Sequence, residues 1–263
     1  KMISKFASLG FKTQKPFHQH LRSLITTNTN AGGFSNWNFF RKVSKMRLLK
    51  VLDLSSHSVS SLSLATFQQL IHLKYLAVCT EKFQFHPQSH LPHLETVIVE
   101  NHEYSKLPAT FWKMEKLRHV HFIGTKRYLE KDEQRMSEES SKLENLRILR
   151  GVTFQIKVQD DISFIEDVLL RRCPNLQQLD ICLTGNYWPY AEAICLKLEC
   201  LAQLQSLRIT FHGLWLHLPS NLKKLVLSEI HVGSAMSLIT GLPGLEHIVL
   251  KVIHNLPKEW CLG

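Results

Sequence analysis

Apolar residues recur along the chain in a three-position pattern, L-x-x-L-x-L, whose last two positions alternate with other residues. Such alternation is typical of a β-strand with one buried face, and the leucine three positions earlier bends the chain into the same core. The sixth copy is degenerate, because Gly151 stands at its third position. Successive copies start 18 to 30 residues apart. The ten copies begin at Leu21, Leu49, Leu73, Leu94, Leu117, Leu146, Leu176, Leu204, Leu222 and Leu245.

The spacing of these copies predicts the fold. Most intervals lie in or near the range of about 20–29 residues that defines a leucine-rich repeat. One repeat cannot bury its own apolar side chains, so successive repeats must stack. We therefore predict an α/β leucine-rich-repeat solenoid, a curved horseshoe with a parallel sheet on its concave face and irregular helices and loops on its convex face. Helix-like patterns over residues 65–73 and 162–172 suit the convex face.

The repeat boundaries also predict the domain organisation. We expect residues 1–20 to form an N-terminal linker or cap, because they precede the first copy of the pattern. Residues 21–263 are then expected to form one domain of about ten irregular repeats. The chain opens on Lys1 instead of a methionine, which favours a fragment of a longer protein.

The side chains between the apolar positions of each strand are expected to line the concave face. These positions hold a mixture of charged, aromatic and polar residues, which suits a protein partner. A merely solvated sheet face is the alternative, and Asp180 and Arg208 could simply pair across adjacent strands. The candidate partner-binding residues are Asp53, Tyr75, His119, His121, Arg150, Gln178, Asp180, Arg208 and Lys224.

The positive charge of the chain is confined to its beginning. The formal net charge is +10, yet residues 1–52 carry ten basic residues and no acidic one, so the remainder is neutral. The basic block has three interpretations: a docking surface for an acidic patch, a site for nucleic acid or anionic membrane, or an ordinary solvated face. Because the charge sits at one end of the predicted solenoid, we favour docking and expect no nucleic-acid partner.

Several other classes of function lack a sequence signal. No stretch has the roughly 20 mostly apolar residues that cross a membrane, and no secretory signal opens the chain. The six cysteines form no C-x-x-C pair and no N-x-S/T sequon occurs, which favours a reducing compartment. The histidine clusters lack the four ligands of a zinc site, and no catalytic motif is present. We therefore expect no metal, no cofactor and no enzymatic activity in this chain.

Five segments resemble a known family: residues 46–54 (MRLLKVLDL), 106–120 (KLPATFWKMEKLRHV), 141–147 (SKLENLR), 173–176 (CPNL) and 21–24 (LRSL). Their wording is similar to the repeat region of plant intracellular nucleotide-binding leucine-rich-repeat disease-resistance proteins. Within that family the chain looks most like the coiled-coil-type, late-blight-resistance-like receptors. The phosphate loop G-x-x-x-x-G-K-[ST] of such receptors is absent from this sequence.

The resemblance implies a function in innate immunity. It implies that this chain recognises a pathogen effector, or a host protein under guard, in a cytoplasmic or nucleo-cytoplasmic receptor that triggers defence and hypersensitive cell death. ADP or ATP would bind the parent receptor in a domain absent here. The first repeats would contact that nucleotide-binding domain and hold it inactive. The resemblance assigns this intramolecular docking to Arg41, Lys42, Lys45, Arg47 and Lys50.

A second function remains open on the sequence alone. A leucine-rich-repeat solenoid also serves as the substrate-recognition module of F-box ubiquitin ligases. That interpretation would require an F-box ahead of the repeats, and residues 1–19 do not resemble one. The identity of the recognised ligand does not follow from the fold, because the side chains of the sheet face can vary while the solenoid persists.

Overall fold

The structure is a computed structural model that describes residues 20–27, 37–84, 91–101, 105–106, 109–124, 127–129, 142–156, 160–184, 194–210, 214–229 and 241–251. The predicted linker or cap at residues 1–20 therefore lies almost wholly outside the described residues. The chain divides into two compact units, residues 1–125 and 126–263.

The described residues of unit 1 form six strands, one short α-helix and two 3₁₀ turns. Strands β1, β2, β3, β4 and β6 pair in that order, and each pair is parallel. Its elements are β1 (Ser23–Ile25), α1 (Trp37–Val43), β2 (Val51–Ser63), a 3₁₀ turn (Leu64–Phe67), β3 (Tyr75–Gln84), β4 (Thr96–Asn101), β5 (Ser105–Lys106), a second 3₁₀ turn (Ala109–Lys113) and β6 (His119–Gly124).

Unit 2 has the same construction with eight strands. Strands β8, β9, β11, β13 and β14 pair in that order in parallel, β7 pairs with β8, and β10 and β12 form a separate parallel pair. Its elements are β7 (Arg127–Leu129), β8 (Ile148–Gln155), α2 (Asp160–Glu166) with a π-helical continuation (Asp167–Arg172), β9 (Gln178–Thr184), β10 (Ile194–Lys197), β11 (Ser206–Thr210), β12 (Leu214–His217), β13 (Lys224–Ser228) and β14 (His247–Lys251).

The predicted register of the repeat is confirmed. In all ten copies a strand begins two residues after the first leucine of the pattern. The second apolar positions pair with one another, as Leu52 does with Leu76 in unit 1 and Leu179 with Leu207 in unit 2. These four side chains are buried. The alternation read from the sequence therefore assigns the core positions of these strands correctly. In the last described strand, β14, Ile248 stands at the same position but is 41% exposed.

The sixth copy corrects one expectation. Gly151 was expected at the third apolar position, but the register shifts between Arg150 and Val152, and Val152 takes that position opposite Ile181. Gly151 has φ of 74°, a left-handed conformation that glycine adopts without a steric penalty. The extra residue is thus a β-bulge, and the buried Val152 completes the core that the glycine would have left open.

A fourth buried position precedes the pattern, and sequence reasoning missed it. The backbone N–H of the first leucine donates to the carbonyl three residues earlier, as from Leu73 to Leu70 (2.9 Å) and from Leu204 to Leu201 (2.9 Å). This tight turn places the earlier side chain in the core. In the nine copies from Leu49 onward the position is buried, and its occupants are Met46, Leu70, Leu91, Met114, Leu143, Cys173, Leu201, Pro219 and Leu242.

Both patterns that predict helical or 3₁₀ turns form such turns. Over residues 65–73 the structure has the 3₁₀ turn Leu64–Phe67, which begins after Ser63, whose hydroxyl accepts from the Ala65 N–H. Over residues 162–172 the prediction is confirmed by α2 and its continuation. Val168 and Leu169 are fully buried there.

Among the described residues, no helix is both long and apolar enough to cross a membrane.

Candidate partner-binding face

The strand face of each unit is the side of its sheet that carries the residues between the apolar positions. In unit 1, Asp53 lies in register with Ala77, which is followed along the same row by Ile98 and His121. Tyr75, Thr96 and His119 form the neighbouring row. The predicted residues Asp53, Tyr75, His119 and His121 therefore lie on one sheet face, in two adjacent rows. Their role in binding stays a prediction.

Asp53 has a local structural partner. Its carboxylate accepts hydrogen bonds from the backbone N–H (3.0 Å) and the hydroxyl (2.6 Å) of Ser55. Ser55 begins a three-residue bulge in β2, since Leu54 pairs with Val78 but the next paired residue is Ser58. The carboxylate thus caps the bulge. Burial raises the pKa of Tyr75, and the nearby charge of Asp53 raises it further.

Two histidines of β6 form the other distinctive feature of this face. The rings of His119 and His121 stack with centroids 6.3 Å apart and planes 14° apart. In the part of the chain that the structure describes, no three His, Cys, Asp or Glu side chains come together as metal ligands. The described residues of the rows through Tyr75, Ala77 and Cys79 include no lysine or arginine. The face of unit 1 therefore combines aromatic, polar and aliphatic side chains, of which Ile25 is 52% exposed.

The strand face of unit 2 has a different composition. Arg150, Asp180 and Arg208 lie in register on three adjacent strands. Gln178 lies in the neighbouring row, in which Ser206 pairs with Lys224. The five predicted residues of unit 2 (Arg150, Gln178, Asp180, Arg208 and Lys224) are thus brought together on one face. Val226 continues the row of Arg208 but is buried, so it offers no contact surface.

Charge pairing orders this face. Nε of Arg208 lies 3.7 Å from Oδ2 of Asp180, and the Arg150 guanidinium donates a hydrogen bond to the side-chain oxygen of Gln178. Burial raises the pKa of Asp180, and the two arginines oppose that effect only in part. The Arg208 side chain nevertheless remains 51% exposed. The cross-strand pair that the sequence left as an alternative does form, and it leaves Arg208 accessible.

The predicted docking residues lie at the start of unit 1. Arg41 and Lys42 occupy the last turn of α1, where positive charge complements the helix dipole. Lys45 and Arg47 follow in the turn, and Lys50 directly precedes β2. All five side chains are exposed.

A buried aromatic residue fixes the helix that carries part of this block. The ring of Phe40, in α1, lies 6.5 Å from the ring of Phe67, and both side chains are buried. Phe40 therefore anchors α1, with its exposed basic side chains, to the core of unit 1.

Two further basic residues, Arg22 and Lys74, lie beside the predicted docking residues, although the sequence analysis did not assign docking to them. The carbonyl of Arg22 accepts from the Lys50 N–H (2.8 Å), and the carbonyl of Lys50 accepts from the Lys74 N–H (2.8 Å). The three residues thus follow one another across adjacent strands. Lys74 also forms an ion pair with Glu95 at 2.6 Å, which lowers the pKa of that carboxyl. Arg22, Lys50 and Lys74 each stand directly before a strand. A comparison of that position between repeats would have predicted this row of basic residues.

The family profile for a leucine-rich repeat region matches residues 20–259. The chain belongs to this family. The predicted fold class is thereby confirmed. The leucine-rich-repeat ectodomain of the plant membrane receptor kinase GASSHO1/SCHENGEN3 from Arabidopsis thaliana superposes on 92% of this chain with a TM-score of 0.56. The alignment spans 29% of the ectodomain, and at 18% sequence identity the likeness concerns the fold alone.

The leucine-rich-repeat region is homologous to late blight resistance proteins of Solanum demissum. It is 36% identical to the homolog R1B-8 over 141 residues (51% of this chain) and 33% identical to the late blight resistance protein R1-A over 145 residues (53% of this chain). The homolog R1B-23 is 27% identical over 217 residues, 80% of this chain. The chain spans only 10–15% of the length of these relatives. The predicted resemblance to disease-resistance proteins is confirmed.

Proposed function

We propose that this chain is the recognition and autoinhibition region of a plant intracellular immune receptor. The observation that carries the proposal is its homology to late blight resistance proteins over most of its length. In this role the chain performs no chemistry. It binds a pathogen effector, or a host protein under guard, and the receptor responds with defence and hypersensitive cell death. The parent receptor would bind ADP or ATP outside this chain and act in the cytoplasm.

The strand faces support the recognition part of the proposal. In each unit the core is formed by strand side chains at the second apolar position, such as Leu52 and Leu179, so the opposite face can vary while the core persists. That face carries aromatic, polar and charged groups in fixed rows. Rigid strands hold such groups with little conformational freedom left to lose on binding, which favours affinity.

The basic block supports the autoinhibition part. Arg41, Lys42, Lys45, Arg47 and Lys50 are exposed and close in sequence, on a segment whose helix is attached to the core by Phe40. A cluster of exposed cations attracts an acidic surface and accelerates its association. Docking of this block against the nucleotide-binding domain would hold the receptor inactive until a ligand binds the strand face.

A charge reversal in the intact receptor tests the proposal. Lys42→Glu, Lys45→Glu and Arg47→Glu together should weaken docking, because an acidic surface would then face like charge. The receptor should cause cell death in leaf tissue without an effector, and the nucleotide-binding domain should co-precipitate less with this chain. The control is the pair Lys142→Glu and Lys197→Glu, two exposed lysines of unit 2. The autoinhibitory role would be refuted if co-precipitation were unchanged and the triple variant caused no cell death in the absence of an effector.

A further inference from the structure

The strand faces of the two units differ in charge. The three rows of unit 1 that run through Tyr75, Ala77 and Cys79 hold no lysine or arginine among the described residues. The three corresponding rows of unit 2 hold Arg150, Arg208, Lys224 and Lys251. Among the described residues of those three rows, Asp180 is the single acidic one. The face of unit 2 therefore carries a positive excess that Asp180 offsets only in part.

The register fixes the spacing of these charges. Arg150, Asp180 and Arg208 occupy equivalent positions on β8, β9 and β11. Neighbouring strands lie about 4.8 Å apart, so the two arginine backbones stand about 10 Å apart with the aspartate midway. The pattern along the row is positive, negative, positive.

Neighbouring side chains position the two arginines but leave some of their N–H donors available. Gln178 accepts a hydrogen bond from Arg150, and Asp180 contacts Arg208 through Nε at 3.7 Å. A guanidinium carries five N–H donors, so both arginines keep donors for a ligand. The planar fork of arginine matches a carboxylate better than a lysine does.

We propose that the strand face of unit 2 binds an acidic segment of a protein, with one carboxylate at Arg150, a second at Arg208 and a hydrogen-bond donor between them at Asp180. Lys224, diagonal to Arg208 on the next strand, adds attraction for a further acidic side chain. The inference rests on the proposed function, because it specifies the chemistry of the partner that this face recognises.

A protein fits this face better than a nucleic acid does. A phosphate backbone is negative at every nucleotide and would meet the carboxylate of Asp180 between the two arginines. Binding of single strands also uses aromatic side chains on which bases stack. The described residues of the three rows contain no Phe, Tyr or Trp, while Val249 at the end of the central row is exposed and apolar.

Selection from a random peptide library displayed on phage, with the isolated chain as bait, tests the inference. Peptides enriched on the wild-type chain should be rich in Asp and Glu. An enriched peptide should bind Arg208→Gln and Lys224→Gln at least about tenfold more weakly, since each change removes a charge-assisted hydrogen bond. Fluorescence anisotropy of the labelled peptide measures the dissociation constant, and circular dichroism checks that each variant is folded.

Lys223→Gln is the matched control. Lys223 adjoins Lys224 in sequence, is likewise exposed and carries the same charge, but it precedes the strand and pairs with Glu246 at 3.5 Å. Its removal should leave peptide binding unchanged. An equal loss in the Lys223 and Lys224 variants would mean that net charge alone attracts the peptides, and the inference would be wrong.

Other outcomes separate this inference from the proposed function. Enriched peptides without acidic residues that still lose binding in Arg208→Gln would overturn the acidic partner and leave recognition by this face intact. Acidic peptides whose binding depends on Lys42 and Lys45 but not on Arg208 would overturn the assignment to this face. A single-stranded oligonucleotide that binds tightly through Arg208 and Lys224 would replace the protein partner with a phosphate ligand.

Discussion

Replacement of Gly244 by asparagine should stabilise the last described repeat. In three earlier repeats the residue directly before the first leucine is an asparagine, namely Asn145, Asn175 and Asn221. The last two of these donate a hydrogen bond to the preceding repeat. Asn175 Nδ2 donates to the carbonyl of Glu144 at 3.0 Å, and Asn221 Nδ2 donates to the carbonyl of Ala202. Both acceptors lie two residues before the first leucine of their own repeat. These bonds connect consecutive turns outside the sheet.

Gly244 occupies the same position in the tenth copy. By the same rule, the expected acceptor is the carbonyl of Ser220. A Cβ atom added to Gly244 would lie 3.6 Å from that oxygen and 3.8 Å from the carbonyl oxygen of Leu222, which is ordinary van der Waals contact. Its φ does not lie in the left-handed region, where an L side chain would be strained. An asparagine therefore fits and finds its partner within reach.

Two effects set the expected magnitude. Replacing a glycine by a residue that fits the native conformation stabilises by about 0.4–1 kcal/mol, because the unfolded chain loses entropy. A new hydrogen bond adds about 0.5–1.5 kcal/mol. Gly244→Ala has only the first effect, so the difference between Gly244→Asn and Gly244→Ala isolates the second. We expect this difference to be about 1 kcal/mol.

Native-state hydrogen exchange measures the effect where it arises. The backbone N–H groups of Glu246 and His247 both donate to the carbonyl of Lys223, at 2.8 and 3.0 Å, so their exchange reports the opening of the last repeat. A gain of about 1 kcal/mol slows their exchange by about fivefold. Equal exchange rates in Gly244→Asn and Gly244→Ala would refute the reasoning that Gly244 lacks a bond that Asn175 and Asn221 make.

Four other predictions follow from single residues. Leu179→Ala, which truncates an almost fully buried side chain, should lower the urea unfolding free energy by about 2–5 kcal/mol; no loss would contradict the register. Gly151→Ala should cost about 1–2 kcal/mol in the same assay, because its φ of 74° strains an alanine, and an unchanged midpoint would contradict the bulge. Cys173 is fully buried with a pKa of about 12, so iodoacetamide at pH 8 should modify the exposed Cys200 and spare Cys173, as read by mass spectrometry. The folded-state pKa of Asp180 is raised, so the folded state binds its proton more tightly than the unfolded state, and the contribution of Asp180 to stability should fall as pH rises through its titration; a nuclear magnetic resonance titration midpoint at or below the ordinary value would contradict this.

The sequence predicted the sheets well because their period follows from side-chain alternation alone. The starts of the ten strands that follow the pattern, and the pairing of Leu52 with Leu76, depend on that period and on little else. The strands β5, β7, β10 and β12 lie outside the pattern, and the sequence did not predict them. The two bulges were missed, since they are local changes in backbone conformation. At Gly151 the pattern predicts a degenerate core position, not a bulge, and the bulge in β2 is recognised only from the pairing with β3, in which Ser58 follows Leu54.

The candidate site was predictable in its placement but not in its accessibility. Alternation alone put Arg208 and Val226 in one row, and the register confirms it. Whether a residue in the row is open to a partner depends on how the side chains of adjacent strands cover it. Val226 is 4% exposed while the Arg208 side chain is 51% exposed. The exposure of one residue thus depends on its own strand and on both neighbouring strands. The sequence of a single strand does not specify it.

The charged side chains of the unit 2 face contribute little to folding stability. Substitutions that remove them therefore test binding without unfolding the chain. The Arg208–Asp180 pair is partly exposed at 3.7 Å, and such pairs contribute about 0–1 kcal/mol. Burial of Asp180 disfavours its charged form, and this cost cancels part of the stability that the ion pair contributes. The stability of the repeat instead comes from buried side chains such as Leu179 and Leu207. Arg208→Gln should therefore unfold at nearly the same urea concentration as the wild-type chain, so that a loss of acidic-peptide binding in this variant reports the contact itself.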